Sequence, residues 1–309
     1  MMTLSKIARL ANVSVSTASK AFSMSTDISE AMREHIFDVA KKHGCFKQFY
    51  NVKYPRLVIA IVCPELASLY YGSLIEEIQR ELEALGCEVC ISNSMFSANA
   101  TDVSIGYFSD YSSVDGIISI AHGEHCEGVN VPYICASEVV QMGEKGIDSA
   151  ISYLVENGVT DIGFIGEKLT AAKQNDFCAL MEKHGLNVDE NKISITDERF
   201  AKGGYEAMQY LLNRRAIPRA VICAYDYMAM GAIRCISDMG LSVPDDIAVI
   251  GMDNISETEY FIPSISSIDY GNSERARALA KGIVDKINGC TPTVVTVNES
   301  LVLRESSKI

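Results

Sequence analysis

The chain has 309 residues, 48% of them hydrophobic, and a formal net charge of −13 at pH 7. This composition excludes a disordered chain, and the length leaves room for two or three domains. A uniformly acidic surface would exclude nucleic acid, and no apolar run reaches the roughly 18–20 residues that span a bilayer.

The charge is not uniform. Residues 1–56 carry nine Lys/Arg against four Asp/Glu, a formal +5, which leaves −18 on the rest. A basic head on an acidic body is the asymmetry of a chain whose first domain alone meets phosphate, and also that of a merely solvated basic face. The start, "MMTLSKIARLANVS", has no charged segment followed by a long apolar stretch, so no secretory signal is expected. Ten cysteines without export then point to free thiols in a reducing cytoplasm.

In "TLSKIARLANVSVSTASKAF" the spacing predicts two short helices. Thr3 caps the first, and Leu4, Ile7, Ala8 and Ala11 give it one apolar face. Asn12 suits the positive φ of a tight junction, and Val13 plugs the turn. Ser14 caps the second helix, which turns Ala18, Ala21 and Phe22 inward. Val15, Ser16, Ser19 and Lys20 face outward, with Thr17 beside them. That face is small, polar and basic, which permits close approach to DNA, hydroxyl contacts to phosphate, and a methyl contact from Val15. A third helix is expected over roughly 29–43, with Met32, Ile36, Val39 and Ala40 on one side and Gly44 at its end.

From Leu57 the pattern becomes strand and helix in alternation. "LVIAIVC" reads as a buried parallel strand, "YGSLIEEIQRELEALG" as an amphipathic helix, and "CEVCIS" as the next strand. A helix near 100–110, the strands "DGIISI" and "PYICA", and the helix "GIDSAISYLVENG" follow. The rhythm restarts with "IGFIG", a helix near 172–184, "KISI", "GGYEAMQYLLN", "AVICA", "YMAMGAIRCISDMG" and "IAVIG". A helix over 273–288 and one strand, "VTVNESLVLR", cross back between the two halves. This predicts an α/β fold with two doubly wound lobes behind an all-α helix-turn-helix head. The divisions are 1–45 for the head, 46–56 for a linker, 57–157 with about 270–290 for the first lobe, and 158–269 with about 291–309 for the second. Two groupings imitate chemistry. "CEVC" has redox spacing but lies on a strand, where Cys87 and Cys90 face opposite sides. "HGEHCEG" gathers His122, Glu124, His125 and Cys126 without a distant second ligand pair, and reads as a polar loop rather than a zinc site.

The head resembles the LacI/GalR family of bacterial transcription regulators. Thr3-Leu4-Ser5-Lys6-Ile7-Ala8, Ala11-Asn12-Val13-Ser14 and Thr17-Ala18-Ser19-Lys20 follow that family's opening pattern, and "ISEAMREHIFDVAKKHGC" follows its third helix. In the body, "AVICAYDYMAMGAIRCISDMGLSVPDDIAVIGMDN" and "IPSISSIDY" are similar to the family's periplasmic-binding-protein-like domain. The resemblance implies that Val15, Ser16 and Lys20 meet bases and that Ser14, Thr17 and Ser19 meet phosphates. The family's hinge segment, with its minor-groove leucine, is missing; the linker is "CFKQFYNVKYPRL", where Phe46, Phe49 and Tyr50 could wedge or simply pack.

The resemblance also implies an effector cleft between the lobes. Asp253, just past "IAVIG", would accept ligand hydroxyls or else cap its loop, and Tyr70 and Tyr71 would stack on a sugar or base or else line the lobe interface. Lys173 stands where the family places an effector-binding arginine, Tyr225 where an asparagine precedes Asp226, and Ser137 where an aspartate often binds. Asp226 itself reads as a helix cap. Three substitutions in one pocket point either away from a typical family sugar or to a site that has lost tight binding. The implied protein is a cytoplasmic homodimeric repressor, not an enzyme. It would bind a roughly palindromic double-stranded operator and respond to a sugar or related metabolite, with no cofactor, metal or membrane. The competing reading is a solute receptor without transcriptional role. An enzyme would need a P-loop, G-x-G-x-x-G or nucleophile elbow, and none is present.

Overall fold

The computed structural model describes residues 2–50, 56–121, 128–215 and 217–309, and leaves out the side chain of Lys47. The chain divides into two units, Met1–Leu57 and Val58–Ile309. The "HGEHCEG" cluster lies outside the described residues.

The first unit contains α1 (Leu4–Leu10), α2 (Val15–Phe22), α3 (Glu30–Lys42) and a short α4 (Phe46–Phe49). Its first three helices are capped by hydroxyls. Thr3 accepts from Lys6 N–H at 3.3 Å, Ser14 from Thr17 N–H at 3.0 Å, and Ser29 from Met32 N–H at 3.3 Å. Each cap satisfies an otherwise orphaned amide. Asn12 turns the chain between α1 and α2 at φ +54°. Ile7, Ala11, Ala21, Phe22, Ile36 and Ala40 close a small core. The linker aromatics complete it. Phe22 lies 5.4 Å from Phe37 and 5.6 Å from Phe49, and Phe46 stacks on Tyr50 at 4.7 Å. Phe46, Phe49 and Tyr50 therefore belong to the head's own packing. Met32, expected on the inner face of α3, is exposed, and Phe37 packs against the core.

The second unit begins with β1 (Leu57–Cys63), α5 (Leu69–Ala84), β2 (Cys87–Asn93), α6 (Ala98–Asp110), β3 (Gly116–Ser119) and β4 (Tyr133–Cys135). A connecting stretch follows: α7 (Ala136–Val139), β5 (Val140–Met142) and α8 (Gly146–Glu156). Then come β6 (Ile162–Glu167), α9 (Ala171–Lys183), β7 (Ile193–Thr196), α10 (Phe200–Asn213), β8 (Ala220–Cys223), α11 (Asp226–Asp238), β9 (Ala248–Met252), α12 (Glu257–Tyr260) and β10 (Ser266–Asp269). The chain finishes with α13 (Asn272–Ile287), β11 (Val295–Val297) and β12 (Ser300–Val302).

Two large sheets form, ordered β2-β1-β3-β4 and β12-β10-β9-β8-β6-β7, beside a two-stranded sheet of β11 and β5. In each large sheet, the first strand in sequence has neighbours on both sides, so the winding reverses there. Such reversals are where open α/β sheets take ligands, beyond the carboxyl ends of the strands. Burial follows: β6, β8 and β9 are buried throughout, as parallel central strands require.

Three short segments join the lobes. They run side by side near residues 143–146, 270–271 and 298–299. Glu144 N–H donates to Asn298 Oδ1 (3.1 Å), Glu299 N–H to Glu144 O (3.0 Å), and Gly146 N–H to Glu299 Oε2 (2.7 Å). Helix α13 returns to the first sheet against α5, while α8 packs on α9, β10 and β12 of the second. The single strand expected over "VTVNESLVLR" is split at Asn298–Glu299: β11 pairs with β5, and β12 runs antiparallel to β10. The hinge needs that break, because one strand cannot serve both sheets.

Helices α10 and α11 cross closely through glycines. A Cβ on Gly231 would fall 1.9 Å from Ala201 O, and one on Gly204 would fall 2.0 Å from Met228 O. Backbone cannot yield as a flexible side chain can. Gly231→Ala is therefore expected to destabilise the body by about 1–3 kcal/mol through overpacking. Urea unfolding of the variant checks this; an unchanged midpoint and slope would contradict the close crossing.

Candidate functional site

Among the described residues, two places gather polar side chains that face outward or face each other across a gap: the outer face of α2 and the space between the lobes. On α2, Ser14, Val15, Ser16, Ser19 and Lys20 are exposed and Thr17 is half-buried. Ala18, Ala21 and Phe22 turn the other way into the core. The caps fix this polarity: Ser14 Oγ bonds Thr17 N–H and lies 2.8 Å from Thr17 Oγ1. An exposed apolar Val15 among hydroxyls suits a partner with both methyl and polar groups. Lys20 pairs with Asp27 at 2.9 Å, a contact the sequence reading missed. The hydrogen bond from Lys20 holds the Asp27 carboxyl below its ordinary range. An exposed pair of this kind is readily exchanged for a phosphate.

The interlobe space is built at the two winding reversals. Glu65 follows β1 in the first lobe and Glu167 ends β6 in the second. Arg199, at the N-terminus of α10, joins both. Its Nη1 and Nη2 donate to Glu65 Oε2 and Oε1 at 2.8 and 3.1 Å, and its Nε donates to Glu167 Oε1 at 2.9 Å. The two carboxylates are only 10% and 4% exposed. The guanidinium lies 5.1 Å from the Phe96 ring and 4.7 Å from the Phe200 ring. Tyr225 supports the group: its hydroxyl accepts from Phe200 N–H (2.9 Å) and donates to Glu167 (3.3 Å). Burial pushes the Tyr225 hydroxyl up to about 12, so it stays a donor at neutral pH.

A second cluster adjoins the first. Lys173 Nζ donates to Ala224 O at 2.7 Å, lies 3.5 Å from Asp253 Oδ1, and sits 5.0 Å from the Tyr270 ring centroid. Burial opposes the Lys173 charge, but Asp253, Tyr270 and Tyr70 outweigh it and hold the ammonium charged. Burial pushes Asp253 up to about 6 against the pull of Lys173. Its backbone has φ +100°, a left-handed conformation rare outside glycine, which costs about 1–3 kcal/mol. Tyr70 and Tyr71 meet edge-on at 4.9 Å, Arg275 bonds the Tyr70 hydroxyl, and Tyr70 reaches Tyr270 at 5.7 Å. Burial raises the Tyr71 hydroxyl to about 12. A cavity of about 690 Å³ opens beside Asp253 between α5 and the start of α13; Glu76, Glu77, Asp269 and Glu274 make its lining acidic.

Of the candidate cleft residues, Tyr70, Tyr71, Lys173 and Asp253 come together, and Tyr225 joins the neighbouring Arg199 group. Ser137 lies apart: it is exposed on α7 with its hydroxyl 3.2 Å from Cys135 Sγ. Asp226 does not cap α11. Its two oxygens accept from Ile255 N–H (2.9 Å) and Ser267 Oγ (2.6 Å), which ties α11 to the loop after β9. Burial pushes its carboxyl far up. Sequence reading missed Glu65, Glu167 and Arg199; an acid directly at the end of an apolar strand, as in "LVIAIVCPE" and "IGFIGE", was the available signal.

Residues 3–45 match the family model for bacterial regulatory proteins of the lacI family, and residues 151–307 match that for the periplasmic binding protein-like domain. The chain is 25% identical to an HTH-type transcriptional repressor PurR of Glaesserella parasuis over 99% of its own length and 98% of that protein's. Among solved structures it is similar to a transcriptional regulator CelR–cellobiose complex, with TM-score 0.70, 24% identity, and 99% and 100% of the two chains covered. It is also similar to the lac repressor dimer bound to operator and the anti-inducer ONPF, with TM-score 0.71, 19% identity, and 99% and 98% covered.

The Asp253 environment has a pH signature. Its folded pKa of about 6 stands above the ordinary 3.8, so the native state keeps a proton that the unfolded chain has released. This contribution to stability is full below about pH 4 and is lost as pH rises through 6. Relative to wild type, Asp253→Asn should gain about 3 kcal/mol between those limits and then level off. Urea unfolding of both proteins across pH 4–7 reads the difference; a flat difference would show that Asp253 ionises as an ordinary surface acid.

Proposed function

The chain belongs to the lacI family of bacterial regulatory proteins, and we propose that it is a cytoplasmic repressor whose grip on a roughly palindromic operator is set by a small molecule held between its lobes. The observation that carries the DNA-binding part is the outward face of α2. Its amide ends are capped, its apolar side is committed to the core, and what remains exposed is a hydroxyl-rich strip ending in Lys20. By this reading Val15, Ser16 and Lys20 meet base edges, and Ser14, Thr17 and Ser19 meet phosphates. Lys20 gives up Asp27 when it docks. The acidic body repels DNA and keeps contacts with the head.

The cleft supports the second part. Asp253, Lys173, Tyr70 and Tyr71 converge beyond the carboxyl ends of the strands, where such folds hold ligands. The acid-lined cavity favours a neutral, hydroxyl-rich or cationic effector over a polyanion, and a carbohydrate or related metabolite fits that class. Two copies acting as a homodimer would place two heads on half-sites about one helical turn apart. A change in lobe closure that alters the heads' separation then costs one half of the contacts. No catalytic role is proposed. Among the described residues no helix is long and apolar enough to cross a membrane. A solute receptor has no use for the head, which places that reading second.

Removing residues 1–56 should lower affinity for a selected operator at least a hundredfold and leave the body's urea unfolding transition in place. A truncated form that still binds with sequence preference would contradict the division of labour. Lys20→Ala should weaken operator binding by about 1–3 kcal/mol and erase preference at one base pair per half-site. Equal weakening on all sequences with a shallower salt dependence would make Lys20 a phosphate contact instead.

A further inference from the structure

The Arg199 group does more than line the cleft. It is the point where one side chain of the second lobe holds two elements of the first. The guanidinium meets Glu65 in a bidentate fork at 2.8 and 3.1 Å and approaches the Phe96 ring at 5.1 Å. On its own side it is anchored by Glu167 at 2.9 Å and by the Phe200 ring at 4.7 Å. Glu167 is fixed in turn: its N–H donates to Thr170 Oγ1 (2.9 Å), Thr170 Oγ1 donates to its carbonyl (2.7 Å), and Tyr225 donates to its carboxylate. The hydrogen bonds and charges of Glu65 and Glu167 hold Arg199 above its already high ordinary range, so it is charged at every accessible pH.

From this geometry we infer that Arg199 and Glu65 form a built-in clasp that holds the lobes closed by the chain's own contacts, so that closure does not have to be supplied by a bound effector. Separating the lobes strips Arg199 of Glu65 and Phe96 together. The planar fork makes this an all-or-none contact, since a small rotation of one lobe breaks both hydrogen bonds. A ligand then controls the protein only by its different affinity for clasped and unclasped lobes. The consequence for regulation rests on the reading above, that lobe closure sets operator affinity; the clasp itself does not.

The test measures lobe separation directly. Donor and acceptor dyes are placed through non-natural amino acids at exposed Tyr111 in the first lobe and exposed Met239 in the second. The labelled full-length chain is diluted in unlabelled chain so that transfer is within one copy, and no small molecule is added. Wild type should show one short-distance population. Glu65→Gln, which is isosteric, should raise the open-to-closed ratio at least fivefold, as should Arg199→Met. The double variant should open no further than the singles. Arg199→Lys, which keeps the charge but not the fork, should fall between. Unfolding by urea, run in parallel, identifies a variant that has lost its fold, and Glu65→Gln then carries the decision. Unchanged distances in Glu65→Gln and Arg199→Met, or additive effects in the double variant, would overturn the clasp. If the distances shift while operator affinity does not, the clasp stands and the regulatory reading fails.

Discussion

The structure depends on keeping ionised groups partnered where two sheets present their carboxyl ends to each other. Glu65, Glu167 and Asp253 all sit there, and each would be costly to bury alone. Two cations answer them, Arg199 for the glutamates and Lys173 for the aspartate. Around this core of charge the other features make sense. Asp253 accepts a strained backbone to point its carboxylate inward, Tyr225 fills a gap with a hydroxyl that both accepts and donates, and Tyr270 lies under the Lys173 ammonium. Arg199, Lys173, Tyr225 and the acids they face already bond within the chain. A ligand bound among them would exchange with these contacts, so that its binding would be a question of lobe arrangement as much as of fit.

The head solves a different problem. A domain of some fifty residues has little apolar area to bury, and its first three helices contribute alanines beside a few larger groups such as Ile7, Phe22 and Ile36. The aromatic segment of α4 enlarges the core, with Phe46, Phe49 and Tyr50 grouped around Phe22 and Phe37. The side chains that the linker offered as wedges are thereby used for packing. By the proposed reading DNA contact falls to α2, whose strip has only one basic side chain, so that hydroxyl geometry would carry much of the contact.

What the sequence made legible follows the range of the signal. The caps Thr3 and Ser14, and the turn at Asn12, act over three or four residues, and each lies where spacing put it. Buried parallel strands announce themselves as apolar runs. Lys173 and Asp253, 80 residues apart, became neighbours in the reading only through resemblance to a known family. Arg199 and Glu65 are 134 residues apart, and nothing local marks an arginine at a helix start as a bridge between lobes. Asp226 shows the opposite error: a residue that fits a local cap is used for a long-range tie to Ile255 and Ser267. The split of "VTVNESLVLR" at Asn298 and the inward turn of Phe37 in place of Met32 were likewise decided by tertiary packing.

The central claim is that this acidic chain reads DNA sequence through one short helix. The most direct measurement is a binding selection of the full-length protein on random duplex DNA, with the enriched pool sequenced and the selection repeated with a panel of metabolites. The account predicts enrichment of two inverted half-sites at a fixed spacing, with enrichment altered by at least one metabolite. A pool that stays random, or that is retained only in proportion to salt and length, would contradict it.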